Sequence, residues 1–166
     1  MNLYLKRFVA ALSLTIFFSN QATASEFFPI ATSVAKGAND TYVMERCAAL
    51  DLSILNWAGE DGLNKFDPQL YNKMRDSYFA QKYVAVLMLA NQGMTYESAV
   101  ESNNRTEKAI RNLYVERFKE NYATTGQAFN NDQFIGDDMN YCVEYSKAAA
   151  AMVDNSLGAK NWREAK

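Results

Sequence analysis

The chain has 166 residues, 17 basic and 19 acidic side chains, two cysteines and no histidine. Without histidine there is no Ser-His-Asp or Cys-His nucleophile, no imidazole base and no His-ligated zinc or haem. Two cysteines exclude a four-thiolate zinc or iron–sulfur site within one chain, and two prolines with seven glycines exclude a collagen-like chain.

The first 24 residues read as a cleavable secretory signal. Lys6 and Arg7 form a positive start, Phe8–Phe18 is an apolar run of eleven residues, and Ala22-Thr23-Ala24 is an A-x-A site. Eleven residues are too few for a membrane span, which needs about 20. Cleavage after Ala24 would leave Ser25–Lys166, 142 residues with 15 basic against 19 acidic side chains, a net charge of −4. That is one domain, 25–166, with no electrostatic case for nucleic acid and no membrane span. Export places the protein in the periplasm or outside the cell. There Cys47 and Cys142 are expected to pair as one disulfide closing a loop of 95 residues.

Residues 25–38, with Pro29 and Gly37, read as an extended lead-in. The first predicted helix spans 41–58, where Val43, Cys47, Leu50, Ile54 and Trp57 repeat at helical spacing. The second spans 68–92. Asp67-Pro68 is an N-cap followed by proline at the first helical position, and Gly93 is the stop. Its second half, Tyr83–Ala90, is apolar on every side and therefore expected at the centre of the domain.

The third predicted helix, 95–122, has Thr95 as its cap and Tyr96, Val100, Ile110, Leu113 or Tyr114, Phe118 and Tyr122 along its inward face. Asn103, Asn104, Arg105 and Glu107 interrupt that face. They mark a kink turned to solvent, or else a polar pocket or partner surface. A loop is expected over 123–136, with Phe129 and Phe134 pinning it. The fourth helix, 137–157, starts at the acidic pair Asp137-Asp138 and ends at Gly158. Trp162, in the polar tail beyond it, is a candidate contact residue. The fold class is therefore all-α, a bundle of about four helices stapled by a disulfide between the first and last of them. In a simple up-down-up-down bundle, Cys47 and Cys142 would differ in height by roughly 9 Å. A disulfide tolerates a Cα separation of at most about 7 Å. Either the last helix crosses the first steeply, or it runs parallel to it after a long crossover.

Carboxylates are the remaining acid–base groups. Glu97-Ser98, opening the third helix, resembles the Glu-Ser pair of lytic transglycosylases, without the Gly-Leu-Met-Gln-type segment that follows in that family. Size and helix count are similar to cytochrome c′-type bundles, but there is no C-x-x-C-H. Asn130, Asn131, Asp132, Asp137 and Asp138 are calcium-type oxygen donors, but Phe134 breaks the EF-hand order, and the favoured reading is turn and N-cap residues. The sequence calls for no metal and no cofactor. Its leading expectation is a non-enzymatic binding protein acting on a protein partner, an envelope component or a small ligand. The alternatives are an envelope polysaccharide hydrolase using carboxylates, and a structural or assembly subunit.

Overall fold

A computed structural model describes residues 27–59, 63, 65, 67–129 and 131–158, which form helices with no strand among them. The expected signal segment and Trp162 lie outside the described residues. The helices are α1 (Ile30–Ala35), α2 (Asp40–Ala58), α3 (Pro68–Asn91), α4 (Tyr96–Thr125) and α5 (Gln133–Leu157).

Each long helix begins on a side chain that accepts an otherwise unpaired backbone N–H. Asn39 accepts from Tyr42 N–H, Asp67 from Leu70 N–H, Thr95 from Ser98 N–H and Asp132 from Ile135 N–H. Gly126 takes the left-handed conformation (φ 73°) that closes α4.

Three expectations are corrected. The lead-in contains a short helix, α1. Its six residues are too few to form alone, and tertiary bonds hold it: Ile30 N–H donates to Asp138 at 2.7 Å, and Ile30 is fully buried. The last helix starts at Gln133 rather than at the acidic pair, so the preceding loop is only 126–132. The central helix is α2, which touches all four others, rather than α3. Every residue from Val43 to Leu50 is buried, including Glu45 and Arg46. Apolar content missed this, because two charged residues inside that run are buried against polar partners.

Cross-helix bonds fix the topology. Gln92 donates to Thr41 and Ser77 to Asp51, so α3 runs antiparallel to α2. Asn103 meets Glu45, and Phe118 packs on Trp57, so α4 runs parallel to α2. Ser146 meets Ser77, and Val153 clusters with Val84, so α5 runs parallel to α3. The bundle is thus up-down-up-down in its long helices, and the parallel arrangement of first and last helix is not adopted. Cys47 and Cys142 are nonetheless bonded, with Cα atoms 5.5 Å apart. The anticipated height mismatch vanishes because α5 starts at Gln133, four residues before the expected start. Cys142 then stands nine residues from the start of α5, against eleven from Cys47 to the end of α2, a height difference of about 3 Å at 1.5 Å per residue.

Candidate functional site

Three polar systems interrupt the apolar interior. The first is a sealed cluster around Arg46. Its guanidinium is fully buried and bonds Asp138 at 2.6 Å, also fully buried. Arg46 Nε donates to the Tyr114 hydroxyl, which donates to the same Asp138 oxygen at 2.6 Å. A further guanidinium nitrogen reaches Ser33 of α1, and the Phe27 ring lies 4.1 Å from the guanidinium carbon. Burial pushes the Tyr114 phenol well above its ordinary range. Both charges are neutralised and out of reach of solvent. This cluster is a strut that ties α1, α2, α4 and α5 together.

The second system is a polar layer where α2, α3 and α4 meet. α4 runs unbroken through the anomalous stretch. Ala99, Asn103, Glu107 and Ile110 continue the buried stripe, while Asn104 and Arg105 are exposed. The four residues therefore do not share one surface. Glu107 pairs with Lys82 at 2.8 Å and accepts from the Tyr78 hydroxyl at 3.3 Å. Asn103 donates to Glu45 at 3.4 Å, but its own carbonyl oxygen and both amide atoms of the buried Gln81 lack a hydrogen-bond partner. Burial raises Glu45 from 4.5 to about 7, against the opposing hydrogen bonds of Asn103 and Thr106.

That shift has a measurable sign. The folded chain keeps the Glu45 proton up to about pH 7, whereas the unfolded chain releases it near 4.5. Its favourable contribution is therefore complete below pH 4.5 and declines as pH rises to about 7, by on the order of 2–3 kcal/mol. With no histidine in the chain, shifted carboxyls dominate side-chain titration in this window. Denaturant midpoints are expected to fall between pH 5 and pH 8, and Glu45→Gln is expected to flatten that slope. An unchanged slope in Glu45→Gln would show that Glu45 titrates normally.

The third system is open. A groove of about 280 Å³ lies between α3 and α5, floored by Asp51 of α2. Leu70, Met74, Met139 and Val143 supply its apolar wall, and Lys73 and Lys147 also line it. Leu70, Met139 and Val143 are 42%, 41% and 46% exposed, high for large apolar side chains that share one groove. Ser146 donates to Ser77 at 2.7 Å, and Ser77 donates to the part-buried Asp51. Desolvation raises Asp51 from 3.8 to about 7, with the Ser77 hydrogen bond opposing. The spacing that makes this groove is simple. Leu70, Met74 and Ser77 on α3 step by four and three, as do Met139, Val143 and Ser146 on α5. Each set therefore lies along one helical face.

The other residues singled out in the sequence have separate places. Asp132 caps α5 and forms a two-bond pair with Arg117, whereas Asp138 belongs to Arg46. Two of the calcium-type donors, Asp132 and Asp138, are thus drawn into different pairs, and Asn130 lies outside the described residues. Among the described residues, no group of three or more acidic or thiol side chains is placed to hold a metal ion. Glu97 is exposed in the first turn of α4.

Sequence reasoning missed Arg46 and Asp51, and it placed Asp138 at a helix start or among calcium-type donors, where the structure pairs it with Arg46. A signal was present: each sits on an apolar stripe, in Val43-Arg46-Leu50, Cys47-Asp51-Ile54 and Ile135-Asp138-Cys142. Comparison with protein-family models, with curated proteins and with solved structures returns no match to this chain.

Proposed function

We propose that this chain is an exported, non-enzymatic helical binding protein whose ligand surface is the groove between α3 and α5. The observation that carries this reading is the groove itself: three half-exposed large apolar residues converge over a floor of hydroxyls and one carboxyl. Mostly apolar concavities with a few convergent polar groups are the usual form of small-molecule sites. The disulfide supports an oxidising compartment, as does the signal-like N-terminus. Among the described residues no helix is long and apolar enough to cross a membrane.

Catalysis has weaker support. A carboxylate hydrolase needs two carboxyls across a cleft or one acid held within it. Glu97 is exposed, and Glu45 is buried in the polar layer. Asp51 alone meets the groove, and both neighbouring hydroxyls are engaged in a chain that ends on it.

The test is uptake of an environment-sensitive apolar fluorophore by the oxidised protein. Binding is expected in the unaltered chain and is expected to be lost in Ser146→Phe, which fills the groove, with little change in thermal midpoint. Equal uptake by the two proteins would remove the groove from the proposal.

A further inference from the structure

The groove is graded along its length. Ser77 and Ser146 face each other at one level, together with Asp51 and the adjacent Lys147. Seven residues earlier on both helices stand Leu70 and Met139, with Met74 and Val143 between. α3 and α5 are parallel, so these apolar pairs lie at matching heights. Seven residues are about 10.5 Å at 1.5 Å per residue, comparable to an extended chain of about eight carbons.

The charges within the groove have one direction. Lys73 and Lys147 are both cationic. Lys147 is held only by an exposed pair with Glu144 at 2.6 Å, and such pairs are worth little and exchange readily. Asp51 is the acidic group lining the groove. Its burial keeps the carboxyl protonated up to about pH 7, so below that it offers a hydrogen-bond donor instead of a repelling charge.

Resting on the binding role argued above, we propose that the groove takes a free medium-chain monocarboxylate. The alkyl chain lies between Leu70, Met74, Met139 and Val143, and the carboxylate lies at the Ser77–Ser146 end beside Lys147. Lys73, between Leu70 and Met74, adds positive charge to the groove as a whole. An alkylammonium ligand of the same length would meet Lys147 where it needs acceptors. An uncharged alcohol would fill the apolar half and leave the ammonium groups unused.

Calorimetric titration of the oxidised full chain at pH 6 with octanoate, octanol and octylammonium separates these cases. Octanoate is expected to bind roughly tenfold or more tightly than the other two, the value of one charge-assisted contact. The double substitution Lys73→Ala, Lys147→Ala is expected to abolish that preference while leaving octanol binding unchanged. Both lysines line an open groove, so the double variant is expected to fold, and its circular dichroism checks this. Similar affinities for all three probes, or a preference for octylammonium, would overturn the carboxylate assignment and leave the groove as a binding site. No binding of any probe would overturn both.

Discussion

Asp138→Ala is expected to destabilise the protein by about 3–5 kcal/mol, because it leaves the Arg46 guanidinium buried without its counter-charge. The same substitution strips the acceptor from Ile30 N–H and from the Tyr114 hydroxyl. Urea unfolding monitored by circular dichroism gives the loss. Hydrogen exchange should show residues 30–35 opening before the bundle does, since α1 is tied down by this cluster. Replacing both partners, Arg46→Met with Asp138→Leu, should recover much of the loss, because buried ion pairs are frequently replaceable by apolar groups of similar volume. A loss below about 1 kcal/mol in Asp138→Ala would mean that Arg46 finds water or another partner.

Removing the disulfide should have an effect of similar size. Cys47 and Cys142 close a loop of 95 residues, and the chain-entropy description assigns up to about 4.7 kcal/mol to a loop near 100. The Cys47→Ala, Cys142→Ala double variant is expected to fall short of that bound, since native contacts persist around both positions. Both cysteines are buried and close to Arg46 and Asp138 in sequence and space. The two perturbations are therefore expected to couple, and combining them with Asp138→Ala should unfold a domain of ordinary stability. If the double-cysteine variant kept its urea midpoint, the cross-link would be redundant with the packing of α2 against α5.

The helices themselves were legible in the sequence, because each carries its own signals. Asp67-Pro68, Thr95 and the stops at Gly93 and Gly158 act within a turn of where they stand. α1 was illegible for the opposite reason, since its stability comes from Asp138, 108 residues away. The start of α5 differs from the expected one because Asp132 and the pair Asp137-Asp138 compete for the role. Asp132 caps the helix, while Asp138 lies inside it and faces Arg46. The expected topology fails through that same start: with α5 beginning at Gln133, Cys47 and Cys142 come to nearly one height without any crossover.

The candidate site was less visible. Periodicity marks a position as inward but does not distinguish a sealed interior from a groove. Met139 and Val143 share a stripe with Cys142 yet remain half exposed, because they line the open groove between α3 and α5. The interruption at Asn103–Glu107 was noticed, but its meaning required the neighbours: Glu45 and Lys82 come from two other helices. Asp51 had no local signature beyond its place between Cys47 and Ile54.

The central claim is that the groove between α3 and α5 holds the alkyl chain of a ligand. Intermolecular nuclear Overhauser contacts between unlabelled octanoate and the uniformly carbon-13- and nitrogen-15-labelled oxidised protein test it most directly. The account predicts contacts from the terminal methyl of octanoate to Leu70 and Met139, and from the carbon beside the carboxylate to Ser146. Contacts confined to exposed residues elsewhere, such as Phe79 or Tyr96, would contradict it.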